Sequence, residues 1–244
     1  MNKMTIMPLP WRLIQATFVS RPNRFITIIE LNGIEYESHL PDPGRLKELL
    51  QPGVKLMVKA EPGEHRKTRF STQAVYLGNT LISLNSWLPN RFVDFLIAGG
   101  HLPWLRGWSV CQREFTIGHS RFDFLLKNGK DTRLLEVKSV TLVEGMIAKF
   151  PDAVTVRGAR HLNHLAELSK SGRKSGVLFV IQREDATLFR PQWERDPKLG
   201  YALVAAHESG VDVRVIKMKM TPELLIYLGE IPWDLRRTGD IPKI

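Results

Sequence analysis

The chain has 244 residues, 43% of them hydrophobic, which is enough for one large globular domain or two modest ones and argues against a disordered protein. Its 35 Lys and Arg residues outnumber its 25 Asp and Glu residues, and the net charge of +10 favours a polyanionic partner, either nucleic acid or an anionic membrane surface. Cys111 is the only cysteine, which excludes an intrachain disulfide and a cysteine-based zinc site. No apolar run approaches the roughly 18 residues of a membrane span. We therefore expect a cytoplasmic protein without a membrane partner.

The first third of the sequence predicts a small β-barrel. Short runs of β-branched and aromatic residues alternate with turn sequences, and Asn32-Gly33 is a strong signal for a two-residue hairpin turn. Turn residues at 41–44 then lead into a short helix that stops at Pro52-Gly53. The predicted strands are 11–20, 24–31 and 34–40, followed by VKLMVKA, TQAVYL and TLISL. Five or six strands and one short helix suggest a barrel of the OB type.

From about residue 85 the pattern changes to mixed helices and strands. A helical period over LPNRFVDFLIAGG is followed by three strand-like runs, SVCQREFTI, RFDFLLK and TRLLEVKSV. An α/β order follows, with helices over VRGARHLNHLAELSKSG and KLGYALVAAHESG and strands over GVLFVIQ and VDVRVIKM. We therefore predict two domains, a barrel over residues 1–84 and an α/β domain with a central sheet over residues 85–244.

The run LLEVKSVTL, residues 134–142, carries two charges where a buried strand is expected. Side chains alternate along a strand, so Glu136 and Lys138 share one face while Leu135 and Val137 share the opposite, buried face. Because an unpaired buried charge costs several kcal/mol, we expect the charged face to be open and to meet a ligand.

A hairpin between the two neighbouring strands would place Asp123 beside Glu136. Two carboxylates this close repel each other unless a cation lies between them, and a site made only of oxygen ligands suits Mg²⁺ or Mn²⁺. Lys138 is then positioned to stabilise charge on a phosphate, and Glu114, in the preceding strand, can add a carboxylate. The pattern fits phosphodiester hydrolysis, and the alternative is a Glu–Lys ion pair on a half-exposed strand.

Basic residues on the helix that follows this motif are candidates for phosphate contacts. Spacings of three and four residues place four basic residues on one helix face beside a leucine stripe: Arg157, Arg160, His161 and His164. The alternative for this face is an ordinary solvated basic surface.

The barrel region offers two further basic candidates. Arg45 lies next to the start of the predicted short helix, and a helix N-terminus is a natural anion site. The loop HRKTRF, between two predicted barrel strands, contributes Arg66, Lys67 and Arg69 where OB-like barrels meet nucleic acid.

Four sequence blocks resemble the sugar fermentation stimulation protein family: HLPDPGRLKELL, SRFDFLL, LLEVKSVTL and FPDAVTVRGARHL. The resemblance extends over nearly the whole chain. It implies an N-terminal OB-like β-barrel followed by a PD-(D/E)xK nuclease-like α/β domain with a central mixed sheet, and DNA binding connected with the regulation of sugar utilisation. It also places Asp123, Glu136 and Lys138 on the metal-and-lysine motif of that nuclease superfamily, with Glu114 as an accessory acid.

Three functions are consistent with the sequence. The first is a sequence-nonspecific DNA-binding protein with a Mg²⁺-dependent phosphodiesterase site of the nuclease type. The second is a DNA-binding regulator of sugar (maltose) metabolism that does not cleave its target. The third has RNA as the substrate, because neither an OB-like barrel nor a basic surface distinguishes the two polymers.

Overall fold

The computed structural model describes residues 4–42, 44–63 and 66–237, and these divide into two compact units. The first unit contains the described residues up to Leu88 together with 182–184 and 218–227. The second contains 89–181, 185–217 and 228–237. The sequence-based division after residue 84 assigns the two later segments of the first unit to the α/β domain, and that division stays a prediction.

The first unit is built around a β-barrel, as the sequence predicts. Its strands pair in the order β4-β3-β2-β5-β6-β7, and a parallel pairing of β4 with β6 closes the barrel. The predicted hairpin turn between β3 and β4 is confirmed, since Asn32 (φ 54°) and Gly33 (φ 78°) both adopt the left-handed conformation that such a turn requires. The strands up to residue 88 are β1 (Ile6–Pro8), β2 (Ile14–Asn23), β3 (Ile26–Leu31), β4 (Ile34–His39), β5 (Lys55–Ala60), β6 (Phe70–Leu77) and β7 (Thr80–Ser83).

The short helix predicted after the turn at 41–44 is not formed in the described part of that segment. Residues 44–53 make isolated turns: the Leu50 amide donates to the Leu46 carbonyl at 2.9 Å, and a second turn at 51–54 has the Val54 amide donating to the Gln51 carbonyl at 3.1 Å. Leu46 has a φ of 49°, which is incompatible with a right-handed helix. Its side chain is buried in the barrel core together with Leu49 and Leu50, so apolar packing overrides the local helix preference.

The second unit is an α/β domain with a mixed sheet. Strands β8, β9 and β10 form an antiparallel meander, and β10, β13 and β15 pair in parallel. A separate small sheet has the order β11-β12-β14. The remaining elements are α1 (Leu88–Ala98), β8 (Ser109–Ile117), β9 (Ser120–Asn128), β10 (Asp131–Val140), β11 (Leu142–Glu144), β12 (Ile147–Phe150), α2 (Val156–Lys170), β13 (Lys174–Ile181), β14 (Leu188–Pro191), α3 (Pro197–Glu208), β15 (Asp212–Met220) and β16 (Leu224–Glu230). No helix in the described ranges is long and apolar enough to cross a membrane.

A single buried carboxylate fixes the beginnings of α2 and α3. Asp196 is 3% exposed, and its two oxygens accept from the amide of Leu199 (3.0 Å), in the first turn of α3, and from the amide of Thr155 (2.9 Å). Thr155 in turn caps α2, because its hydroxyl accepts from the Gly158 amide at 3.0 Å. At Gly158 the two helices pack so closely that an added Cβ would lie 2.9 Å from a methyl of Leu199.

Removing the Asp196 carboxylate is expected to destabilise the protein. Asp196→Ala leaves the buried amide of Leu199 and the half-buried amide of Thr155 without partners, and we expect it to lower the free energy of unfolding by about 2 to 4 kcal/mol in urea denaturation. Glu208→Ala is the control, since Glu208 is exposed in the last turn of α3 and its loss is expected to cost less than about 0.5 kcal/mol. Equal stability of the two variants would contradict the role of Asp196.

Candidate active site

The hairpin of β9 and β10 brings Asp123 and Glu136 together. The two strands are antiparallel, and their last paired residues are Phe124 and Leu135. Asp123 and Glu136 are the next positions on the two strands. One oxygen of Asp123 accepts from the Val137 amide at 2.7 Å, which ties this side chain to β10 beyond the last paired residues. Its other oxygen accepts from the side-chain amide of Asn90, on α1, at 2.7 Å. Two elements of the second unit therefore fix the orientation of the Asp123 carboxylate.

Glu136 is the most buried charged group of the site, with 4% of its surface exposed. Its Oε1 accepts from Lys138 Nζ at 2.5 Å and from His161 Nδ1, on α2, at 2.7 Å. Its Oε2 is buried and has no hydrogen-bond partner among the described residues. A carboxylate oxygen without a partner is costly in a buried position, so this atom is suited to a ligand.

The expectation that Glu136 lies on an open face of its strand is wrong. Leu134 and Glu136 are both buried, as are Leu135 and Val137, so both faces of β10 are covered at this point. The reason is that β10 pairs in parallel with β13 and that α2 covers the sheet face that carries Glu136. Lys138 is less deeply buried, with 14% of its side chain exposed.

The two carboxylates have opposite pKa shifts. Burial, and secondly the charge of Glu136, raise the pKa of Asp123 to about 6, against the smaller effect of its hydrogen bonds. Burial also acts to raise the pKa of Glu136, but Lys138 and His161 outweigh it and lower the pKa below its ordinary value. At neutral pH Glu136 therefore carries a firmly held negative charge next to a second carboxylate that is costly to ionise.

The donor set at this site fits a divalent cation that prefers oxygen ligands. A cation held by the two carboxylates would be bound by the unpartnered Oε2 of Glu136, and its charge would counter the two causes that raise the pKa of Asp123, which are burial and, secondly, the charge of Glu136. Among the described residues no group of three or more His, Cys, Asp or Glu side chains is arranged to hold a metal. The protein ligands would thus be Asp123 and Glu136, completed by water or phosphate oxygens, which is a common arrangement for Mg²⁺.

The register of β8 with β9 places Glu114 opposite Asp123, because Arg113 pairs with Phe124 and Phe115 pairs with Phe122. The Glu114 side chain is nevertheless exposed, and it forms an ion pair with Arg121 at 2.8 Å. The Glu114 carboxylate is therefore directed to Arg121 and not into the buried acidic pair. Its role as an accessory acid stays a prediction.

The predicted basic face of α2 is divided in the structure. Arg157 and Arg160 are exposed, as a phosphate contact requires. His161 is 2% exposed and donates to Glu136, so the expectation that it contacts nucleic acid at the surface is wrong. The period of α2 is 3.6 residues, and His161 falls on the side that packs against the sheet with Leu162 and Leu165.

In the first unit Arg45 is exposed and lies among basic residues that sequence reasoning missed. It lines a cleft of about 390 Å³ together with Arg21, Arg24 and Lys47. Arg21 and Arg24 are distant in sequence from Arg45 and Lys47, but all four converge on one side of the barrel. The guanidinium of Arg21 donates to the Arg45 carbonyl at 2.8 Å and so holds this part of the cleft together.

The second predicted basic segment of the barrel forms a connection between β5 and β6. Arg66, Lys67 and Arg69 are all exposed there, and His65 lies outside the described residues. Arg66 forms an ion pair with Glu61 at 3.1 Å. Lys67 and Arg69 are therefore the stronger candidates of this segment for contacts with a polyanion.

The fold and site define a class of two-domain proteins with an OB barrel and an α/β domain that carries a buried acidic pair and a lysine. The protein-family model described as "Sugar fermentation stimulation protein RE domain" matches residues 87–224, and the family model described as "SfsA N-terminal OB domain" matches residues 19–84. The chain belongs to the sugar fermentation stimulation protein family, and the predicted fold class is confirmed.

The relatives cover most of the chain. A sugar fermentation stimulation protein homolog from Chloroflexus aurantiacus is 40% identical over 220 residues, covering 90% of this chain and 85% of the relative. Its counterpart from Pyrobaculum arsenaticum is 42% identical over 219 residues, covering 89% of this chain and 93% of the relative. The structure of Pyrococcus furiosus SfsA in complex with Ca²⁺ is 28% identical, with a TM-score of 0.87 and coverage of 93% of this chain and 98% of that one.

The raised pKa of Asp123 predicts a pH-dependent stability in the absence of divalent metal. A carboxyl whose pKa is higher in the folded than in the unfolded state stabilises the fold when protonated, and this contribution is lost as the pH rises through the folded-state pKa of about 6. Urea denaturation in EDTA is expected to show the wild-type protein losing on the order of 3 kcal/mol relative to Asp123→Asn between about pH 4 and pH 7. Asp131→Asn, at an exposed position of the same hairpin, serves as the control and should follow the wild-type curve. Parallel curves for Asp123→Asn and wild type would contradict the assignment.

Proposed function

We propose that this protein binds DNA without sequence preference and hydrolyses its phosphodiester bonds at a Mg²⁺- or Mn²⁺-dependent site made of Asp123, Glu136 and Lys138. The observation that carries the proposal is the buried, unpartnered Oε2 of Glu136 beside a second carboxylate and a lysine. A further support is that a relative with the same fold is described in complex with Ca²⁺, which like Mg²⁺ takes oxygen ligands.

Each residue of the site has a distinct task in this proposal. Asp123 and Glu136 would hold the metal, which when bound polarises a phosphoryl oxygen and lowers the pKa of a coordinated water. Lys138 stabilises the negative charge that develops on the phosphate while water attacks phosphorus and the P–O bond to the leaving strand breaks. His161 orients Glu136, and Asn90 orients Asp123, through the hydrogen bonds described above.

The net charge of +10 and the exposed arginines and lysines provide contacts with the phosphates of a nucleic acid, and DNA is the polymer that the family resemblance implies. Cationic contacts of this kind fix a protein on the phosphate backbone without reading the bases, which accounts for binding without sequence preference. The candidate phosphate contacts are Arg157 and Arg160 on α2 in the second unit and, considered separately, the cleft around Arg45 in the first unit.

The decisive experiment is a cleavage assay on linear, supercoiled and single-stranded DNA and on RNA, with Mg²⁺ or Mn²⁺ and with EDTA. We expect metal-dependent cleavage of DNA that falls at least about 100-fold in Lys138→Ala and Asp123→Ala, because each removes a group that acts on the reacting phosphate or its metal. Isothermal calorimetry with Mn²⁺ separates the two roles, since Lys138→Ala should retain metal binding and Asp123→Ala should lose it.

Lys127→Ala and Asp131→Asn are the matched controls for this assay, because both residues are exposed on the same β9–β10 hairpin. Cleavage that survives in Lys138→Ala and Asp123→Ala would refute the proposed site. Strong DNA binding without any cleavage would favour a regulator that does not cut, and faster cleavage of RNA would change the substrate.

The cleft around Arg45 makes a prediction about salt. If Arg45 and Lys47 contact phosphates, the double variant Arg45→Ala/Lys47→Ala should reduce the slope of log affinity against log salt concentration by about 2, since each phosphate contact contributes about 0.9. Fluorescence anisotropy with a duplex over a range of salt concentrations measures this slope. The control, Arg106→Ala/Lys127→Ala, removes two exposed cations that lie outside the cleft. Identical slopes for the two double variants would exclude the cleft as a phosphate contact.

A further inference from the structure

A cleft of about 410 Å³ lies along the first half of α2, in the second unit, and neither the metal site nor its hydrogen-bond network uses it. Its walls are largely apolar and include Val154 and Val156, which are 67% and 82% exposed. Two cations, Arg160 from α2 and Lys198 from α3, also line it, as do two acidic residues, Glu167 and Asp196. A cleft of this size and lining suits a small, flat, partly polar ligand.

Two histidines form an aromatic pair in the cleft. His119, from the turn between β8 and β9, is exposed, and its ring stacks on that of His164 at a centroid distance of 4.0 Å and an angle of 17°. One flat side of His119 is thus supported by a buried ring. Stacking on aromatic side chains is the usual way in which proteins hold unpaired bases.

His164 supports His119 from the buried side of the stack. It is 7% exposed, and its Nδ1 is buried without a hydrogen-bond partner in the described part of the chain. Burial, and secondly the charge of His119, lower the pKa of His164, which favours a neutral ring beneath His119. The exposed amide of Asn163, on the same turn of α2, offers a donor and an acceptor to a ligand in the cleft.

The cleft is adjacent to the candidate active site through shared side chains. His161 and His164 are one helical turn apart, and the buried ring of Phe122 packs against both of their rings, with a centroid distance of 5.6 Å in each case. His161 donates to Glu136, so a nucleotide in the cleft would lie one helical turn from the residue that orients the metal-binding carboxylate.

We propose that this cleft binds one unpaired nucleobase of the DNA substrate, stacked on the free face of His119 and hydrogen-bonded at its edge by Asn163, with Arg160 and Lys198 on the flanking phosphates. This inference rests on the proposed function and specifies its substrate as DNA with a single-stranded segment. A bare phosphate does not account for the apolar walls. A metal ion does not account for them either, and the described residues provide no third ligand beside the two imidazoles.

The test compares three DNA molecules by fluorescence anisotropy in EDTA: a blunt duplex, the same duplex with a short single-stranded tail, and the tailed duplex with abasic sites in place of the tail bases. We expect the protein to bind the tail with bases about 5-fold to 100-fold more tightly than the abasic tail, which is the range for stacking of one base. His119→Ala and Asn163→Ala should reduce this ratio towards one, and His119→Phe should preserve it because the ring still stacks.

Blunt-duplex affinity provides the internal control, because it depends on phosphate contacts and should change less than about twofold in His119→Ala. His207→Ala is the matched histidine control, since His207 is exposed on α3 and packs on Trp233 outside the cleft. Both variants remove exposed side chains, so circular dichroism should show a retained fold.

The outcomes separate the two proposals. The nucleobase cleft would be overturned if the wild-type protein bound the two tails with equal affinity, or if His119→Ala did not change the preference for the tail with bases. Metal-dependent cleavage of duplex DNA would still support the proposed function in that case. A lost preference in His119→Ala with cleavage retained in the blunt duplex would support both. Failure to bind any of the three molecules would overturn both.

Discussion

The negative charge of Glu136, held in the interior of the α/β unit, is the constraint on which the rest of the site depends. A carboxylate this deeply buried costs several kcal/mol unless charged or polar partners compensate for its lost hydration. Lys138 and His161 provide that compensation on one oxygen, and the other oxygen is left without a partner. The elements around the site can be understood as the means of keeping these few groups in place.

Helix α2 is the element that brings one of these compensating groups, His161, to the sheet. Its start is fixed by the Thr155 cap and by the buried Asp196, which also begins α3. From that start, a turn and a half of helix places His161 against Glu136, and the next turn places His164 in the neighbouring cleft. Stability at the beginning of the helix and geometry at the site are therefore coupled through one rigid element.

The sequence predicts the barrel, the order of the long strands and the pair of carboxylates because these follow from local periodicity and from the spacing of one hairpin. Asp123 and Glu136 lie on adjacent strands with a short turn, so period-two alternation is enough to bring them together. The short strands β11, β12 and β14 have three or four residues each, which is too few for a recognisable period. At Leu46 burial in the barrel core prevailed over a local helix signal.

The parts of the site that the sequence does not reveal are those that depend on tertiary packing. His161 lies on α2 and Asn90 lies on α1, and nothing in the local pattern assigns either of them to a carboxylate on the central sheet. His161 looks like a member of a basic face when only the helical period is considered. Its partner becomes visible only when the helix is placed over β10, where burial excludes it from solvent.

The electrostatics of the site and its hydrogen bonding lead to the same requirement. The pKa of Asp123 is raised because its negative form is buried beside another negative group, and Oε2 of Glu136 is buried without a donor. The first observation concerns charge and the second concerns an individual atom, and a positive charge between the two carboxylates would relieve both. Lys138 is already bonded to the other oxygen of Glu136 and does not meet this need. An ammonium has three N–H donors, and the bond to Glu136 uses one of them, so the proposed function assigns the remaining donors to a phosphate. In that proposal, the division of labour between a cation held by two carboxylates and a lysine directed to the substrate follows from which oxygen of Glu136 each group occupies.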